Sequence, residues 1–236
     1  LRNDLPSTED FLTPMHKGLR SMIYDLAARL QSTDLTDLTE AAPVLADLQH
    51  ELGGPRPTAC IVCLLHAHAG HEDIWAFPSL RAFDPMLLDE LMQDHRELEE
   101  RIRTLARMGN DLAAGSDPAA RRSAARRLLL GANDLFAAYL GHMNREEAAL
   151  VPLMNQRLTD GEILALRSAM ERAMRPDRRI ELFRWMLRSL DVHELTAWFR
   201  DVRLAAPPET LESLLRLADA EVDPARWAVA RVRAGL

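Results

Sequence analysis

Besides His95 and Glu99, two short segments of this 236-residue chain place a histidine and a glutamate four residues apart. They are His68 with Glu72, and His142 with Glu146. Residues four apart lie on one face of a helix, so each segment points an imidazole and a carboxylate in the same direction. Mixed imidazole and carboxylate groups are ligands for first-row metal ions such as iron and manganese. Since one helix supplies too few ligands for an ion, other helices would have to contribute.

The residues around both pairs predict that they face a protein core. Apolar residues continue each face at steps of three and four, which is typical of a helix that packs in a bundle. These residues are Ile61, Leu65 and Trp75 for the first pair, and Leu128, Leu135, Tyr139 and Leu153 for the second. A buried imidazole or carboxylate is unfavourable unless something pairs with it, and a metal ion would do so.

Two more histidines occupy the same kind of position on other predicted helices. His16 lies in the apolar stripe that follows a Thr13-Pro14 helix start, and His95 lies in the stripe of a helix that starts near Pro85. A lone histidine in an apolar stripe is more often a hydrogen-bonded core residue than a ligand. Four long helices that each carry such a group on the buried face indicate a metal site instead.

The whole chain predicts an all-α fold, because glycine is sparse and β-branched runs are few. We expect long helices at 13–31, 58–77, 85–110 and 118–158, a short helix at 42–52, and five helices between 160 and 234. Pro78 is expected to end the second long helix. The prediction is an antiparallel four-helix bundle over residues 10–158. Residues 159–236 are predicted to be a helical C-terminal extension that packs on the bundle or on a partner chain.

The order of the candidate ligands resembles that of the hemerythrin-like proteins with an HHE cation-binding domain. Those proteins carry a lone histidine on helices one and three and His-x-x-x-Glu on helices two and four. The matching residues here are His16, His68, Glu72, His95, His142 and Glu146. The resemblance covers about residues 10–158 and implies a hemerythrin-like bundle. It also implies a non-haem di-iron centre, two iron ions with an oxo or hydroxo bridge and with Glu72 and Glu146 bridging, with manganese or zinc as alternatives.

One position departs from the pattern of the oxygen-carrying members. They have a second histidine four residues after the one on the third helix, where this chain has Glu99. Glu99 is therefore a candidate carboxylate ligand, or its position leaves room for water at the metal. Glu147 matches the longer spacing of the carrier proteins and is the reserve candidate for the bridge.

The resemblance implies binding of dioxygen, peroxide or nitric oxide, or sensing of iron or oxygen. A di-iron oxidase or a peroxide-decomposing enzyme with the same centre stays open, so the sequence does not decide whether the chain is an enzyme. A third alternative is an interaction module whose metal only holds the bundle together. Ferritin-like carboxylate proteins are disfavoured, because they use Glu-x-x-His pairs and this sequence has none.

Composition bears on partners and location. The net charge of −7 argues against a nucleic-acid partner, and no apolar run reaches the roughly 20 residues of a membrane span. Cys60 and Cys63 are the only cysteines, which together with the lack of a secretory-type N-terminus predicts a cytoplasmic protein. The two cysteines are predicted to pack in the helix, with a redox-sensing thiol pair as the alternative. A homodimer through the extension is the expected protein partner.

Overall fold

The computed structural model describes residues 12–48, 61–115 and 117–236. These ranges form ten helices and no strand, so the all-α prediction is confirmed. The helices are α1 (Thr13–Ser32), α2 (Leu38–Leu48), α3 (Ile61–His71, Glu72–Ala76 and Phe77–Leu80), α4 (Pro85–Ala114), α5 (Pro118–Arg145, Glu146–Leu150 and Val151–Arg157), α6 (Asp160–Ala173), α7 (Pro176–Ser189), α8 (Val192–Ala205), α9 (Pro208–Glu221) and α10 (Pro224–Ala234). The predicted start of α3 near residue 58 lies outside the described residues. In the described part of the chain, no helix has the length and apolarity to cross a membrane.

Helix starts follow local capping chemistry. At α4 and α5, the carboxylates of Asp84 and Asp117 accept a backbone N–H from three residues further on, and a proline occupies the first turn. The start of α2 was predicted four residues too late. It begins at Leu38 because the Asp37 carboxylate accepts the backbone N–H groups of Thr39 and Glu40.

The four long helices α1, α3, α4 and α5 form the predicted antiparallel bundle around one apolar core. Its fully buried members come from all four helices, for example Leu26 on α1, Leu65 on α3, Ile102 on α4 and Leu135 on α5. α4 and α5 pack along each other, and α1 packs against α5. This packing turns one stripe of each helix toward a common axis, and the candidate ligands lie on those stripes.

Two helices of the bundle contain a π-helical turn, and each turn begins at a candidate ligand. In α3 the backbone N–H of Phe77 donates to the carbonyl of Glu72. In α5 the backbone N–H of Val151 donates to the carbonyl of Glu146. A π-turn is less favourable than an α-turn and occurs mostly at functional sites.

Each π-turn adds a residue and so rotates the rest of the helix, which overturns two predictions of buried residues. After Glu72 the buried residue is Ala76, whereas the predicted Trp75 is 39% exposed. After the second turn Leu150 and Met154 are buried, and the predicted Leu153 is only partly buried. The expected stop at Pro78 was also wrong. This proline directly follows the π-turn, as the second residue of the segment Phe77–Leu80, and the helix continues through it to Leu80.

The C-terminal extension contacts the bundle along α1, which packs closely against α7. A Cβ atom on Gly18 would lie 2.9 Å from the backbone nitrogen of Met186, so only glycine permits this approach. At the side of the contact, the Lys17 ammonium lies 2.5 Å from the Glu194 carboxylate. The extension has its own apolar core, in which the Phe199 ring contacts the rings of Trp198 and Trp227. The division of the chain into domains at residue 158 stays a prediction.

Candidate metal centre

Six buried polar side chains converge inside the bundle. They are His16 from α1, His68 and Glu72 from α3, His95 from α4, and His142 and Glu146 from α5. The most exposed of them is His68, at 6%. All six were candidate ligands from the sequence.

The six side chains form two overlapping groups of ligand atoms. One group is His16, His68, Glu72 and Glu146, and the other is Glu72, His95, His142 and Glu146. Within each group the atoms lie within 4.8 Å of one another. Each group therefore offers two imidazoles, and both groups share the same two carboxylates. One ion would use one group and leave the two imidazoles of the other group without a metal contact, whereas two ions that share both glutamates would use every ligand.

The distances between ligand atoms fit this arrangement. The Nε2 atom of His16 lies 3.5 Å from Glu146 Oε2 and 3.8 Å from Glu72 Oε1. On the other side, His95 Nε2 lies 3.6 Å from Glu72 Oε2 and 3.5 Å from Glu146 Oε1. Two ligand atoms that each lie about 2.1 Å from one ion are about 3.0 to 3.4 Å apart at octahedral or tetrahedral angles. The spacing is thus close to that of ligands around a common ion.

The cluster also concentrates buried polar atoms that have no hydrogen-bond partner. Among the described residues these are both carboxylate oxygens of Glu72 and of Glu146, Nε2 of His95 and of His142, and one arginine nitrogen elsewhere. A buried carboxylate without a partner is strongly unfavourable, so native proteins rarely contain one. Six such atoms that face one another are explained by a cation that binds among them.

Two acidic residues orient the lone histidines from outside the cluster. Glu147 Oε1 lies 2.8 Å from Nδ1 of His16, and Asp73 Oδ1 lies 2.8 Å from Nδ1 of His95. An acceptor at Nδ1 fixes the imidazole tautomer that presents Nε2 to a metal. Glu147, the reserve candidate for the bridge, therefore lies behind a ligand and also accepts a bond from Arg20.

These orienting residues have a sequence signal that the pattern of ligands alone does not include. Asp73 and Glu147 each directly follow a cluster glutamate, and a proline stands five residues further on, at Pro78 and Pro152. The segment His-x-x-x-Glu-(Asp/Glu)-x-x-x-x-Pro thus occurs twice. It encodes a ligand pair, an orienting carboxylate and a π-turn in each half of the bundle.

Asp94 and Tyr139 fix the positions of His142 and of the helix that carries His68. The carboxylate of Asp94 lies 3.3 Å from Nδ1 of His142 and is paired with Arg145. The Tyr139 hydroxyl donates to the carbonyl of Leu65 at 2.6 Å, which joins α5 to α3 one turn before His68. Burial, with Glu72 and Glu146 nearby, raises the pKa of Tyr139 and keeps this donor protonated.

Without a metal, protons take the place of the missing positive charge. Burial disfavours the charged imidazole of His16, but the carboxylates of Glu147 and Glu72 outweigh it and raise its pKa to about 9. Burial likewise opposes the charge on His95, yet Asp73 and Glu146 raise its pKa to about 10. Burial and the neighbouring Glu146 raise the pKa of Glu72 to about 7. These shifts follow from burying two carboxylates together.

Metal loading should therefore acidify the solution. At pH 7 the metal-free cluster holds protons on His16 and His95, whose pKa values of about 9 and about 10 lie above the ordinary 6.5. Since a metal needs neutral imidazoles and an ionised Glu72, whose pKa is about 7, loading should release about two to three protons per chain, and affinity should rise with pH up to these values. Anaerobic titration with ferrous ion in weakly buffered dye solution measures this release. Loading without acidification at pH 7 would contradict the protonation of the cluster.

Glu99, a candidate ligand from the sequence, is not brought to the cluster. Its Oε2 atom lies 2.5 Å from His66 Nδ1, and its Oε1 atom lies 3.1 Å from Arg103 Nε. These partners hold the carboxylate at the bundle surface, although position 99 lies one turn after the ligand on α4. His71 is half-buried at the flank of the cluster and belongs to neither group of ligand atoms.

The cysteine pair is only partly described. Cys63 packs against the bundle core, while Cys60 lies outside the described residues. The packing role predicted for the two cysteines, and the alternative of a redox-sensing thiol pair, therefore stay predictions.

Comparison with known proteins gives one family. Residues 59–154 match the model of the hemerythrin HHE cation-binding domain. The match covers α3, α4 and nearly all of α5, and so includes five of the six clustered side chains. His16 lies outside the match, so its place in the site is supported by its position in the structure and not by the family match. No curated protein and no solved structure gave a significant match.

Proposed function

Because residues 59–154 match the model of the hemerythrin HHE cation-binding domain, we propose that the six-residue cluster of this chain holds two iron ions that bind dioxygen, peroxide or nitric oxide. One observation carries this proposal: the two groups of ligand atoms share both glutamates. Each ion would have two imidazoles and two carboxylate oxygens. Mixed imidazole and carboxylate ligation suits iron and manganese, and the choice of iron among the metals that accept these ligands is part of the proposal.

The ligand count leaves room for a small molecule. Four protein ligands per ion fall about two short of the six that an octahedral first-row ion accepts. Because Glu99 is held by His66 and Arg103, it does not fill these positions, and among the described residues the two groups contain no carboxylate besides Glu72 and Glu146. When bound, the iron pair supplies the redox chemistry. The chain itself holds the imidazoles in one tautomer through Glu147, Asp73 and Asp94, and keeps bulk water away from the ligands.

The oxidase or peroxide-decomposing enzyme stays the alternative function, and sensing of iron or oxygen is compatible with the same site. An interaction module with a structural metal also stays an alternative, and it predicts no spectral change on addition of dioxygen or nitric oxide, because a structural site uses all positions of its ion. The cytoplasmic location also stays a prediction. So does the homodimer through the extension, for which light scattering after gel filtration would give the mass in solution.

Stopped-flow mixing separates a binding protein from a catalyst. We expect the reduced, iron-loaded protein to change its optical spectrum on mixing with dioxygen or nitric oxide, and to return to the first spectrum when argon removes the ligand. The physical reason is that two carboxylates shared between two ions bring about one negative charge per ion, and Glu99, which would add a further charge and favour the ferric state, is held by His66 and Arg103. Lasting oxidation after one exposure to dioxygen would support the enzyme alternative instead. Glu99→Gln is the matched control and should behave like the wild type.

A further inference from the structure

A small cavity lies against one ligand of the cluster, between the bundle and the C-terminal extension. It measures about 60 Å³. From the bundle side it is lined by Leu64 and His68 of α3 and by Met15 of α1, and from the extension by Met170, Met174 and Phe183. The cavity thus reaches a candidate metal ligand from the side that the extension covers.

The lining is mostly apolar. Leucine, methionine and aromatic side chains make up most of the wall, and the polar residues are His68, His71, Arg167 and Glu171. Arg167 and Glu171 pair with each other, with Nε to Oε1 at 3.1 Å. Apolar cavities of this kind do not hold water well and instead take up apolar atoms or gases.

The size of the cavity limits its ligand. A water molecule needs roughly 10 to 15 Å³ by this measure, and an engineered apolar cavity of about 150 Å³ holds benzene. The cavity of about 60 Å³ lies between these limits. It has room for a diatomic molecule or a single heavy noble-gas atom, and too little room for an aromatic or organic substrate.

We propose that this cavity is a binding chamber for a small apolar diatomic molecule beside the metal pair, and that the C-terminal extension builds its outer wall. The presence of a metal ion at His68 rests on the proposed function. The existence of the chamber does not depend on it. Arg167, Glu171, Phe183 and Trp198 line both the chamber and an open cleft of about 920 Å³ in the extension. The chamber would concentrate dioxygen or nitric oxide next to the pair.

Xenon tests the chamber without iron. Crystals of the full-length, metal-free protein under xenon pressure should show xenon density between Leu64, His68 and Met170. Met170→Trp should abolish this density, because the indole fills the space. Met170→Leu is the matched control and should keep it, since the wall stays apolar. An empty chamber in pressurised wild-type crystals, or ordered water that bridges His71 and Arg167 there, would overturn the proposal.

A rate measurement tests the connection to the metal pair. With iron-loaded proteins of equal metal content, Met170→Trp should slow nitric oxide binding several-fold, whereas Met170→Leu should leave the rate unchanged. Equal rates in all three proteins would overturn the role of the chamber in ligand access. Failure of the chain to bind iron would refute the proposed function, and xenon density in the wild type would still support the chamber.

Discussion

Glu72→Gln is expected to remove both metal ions from the chain. The Glu72 carboxylate is shared by both groups of ligand atoms, so an amide there weakens two sites at once. His68→Ala should cost one ion, because His68 belongs to one group only. Metal analysis of the purified variants measures both effects. Glu99→Gln is the matched control, since it makes the same chemical change outside the cluster and should keep both ions.

Loss of the ions should also lower thermal stability. A bound ion stabilises the folded state by mass action, by about 4 kcal/mol when it is present at roughly 1,000 times its Kd. The cluster joins four helices, so the stabilisation should apply to the whole bundle. Calorimetry should show a higher melting temperature for the metal-loaded wild type than for the metal-free wild type. Glu72→Gln should show no such increase. If Glu72→Gln kept two ions and the wild-type melting temperature, the bridging arrangement would be wrong.

Truncation after Leu158 is expected to cause aggregation. The cut removes α7 and so exposes the face of α1 on which α7 packs. It also removes Met170, Phe183 and Met186 from the wall next to His68. A newly exposed apolar face favours association with other molecules. Light scattering and solubility of the shortened chain measure the effect, and a soluble monomer with wild-type stability would contradict it.

A point substitution tests the same contact without a deletion. Gly18→Ala places a Cβ atom 2.9 Å from the backbone nitrogen of Met186, so α1 and α7 must move apart. We expect a loss of stability of about 1 to 3 kcal/mol, as for overpacking elsewhere. Gly109→Ala is the matched control, because no atom lies within 4 Å of the added Cβ there. It should be neutral or slightly stabilising, since alanine favours the helix. Equal stability of the two variants would contradict the close packing.

The sequence predicts the ligands well because the helical period holds as far as each glutamate. His16, His68, His95 and His142 lie in stripes with spacings of three and four, and tertiary packing turned those stripes inward. One stripe per helix was enough to define which face is buried. Mutual distances within the cluster needed the structure, because they depend on how the helices cross.

Beyond each glutamate the same reasoning failed for a physical reason. The π-turns shift the register by one residue, so the buried positions moved from Trp75 to Ala76 and from Leu153 to Met154. The prediction of Glu99 as a ligand failed for a different reason. Its helical position is adjacent to that of His95, but the direction of a carboxylate also depends on partners from other parts of the chain, here His66 on α3. A helical period contains neither kind of information.

The most direct test of the two-iron site is the metal content of the 236-residue chain. The chain should be produced in iron-replete cells, purified without oxygen, and analysed for iron, manganese and zinc against protein concentration. Two shared glutamates and four histidines predict two irons per chain in the wild type and none in Glu72→Gln. One zinc and no iron per chain in the wild type would contradict the account.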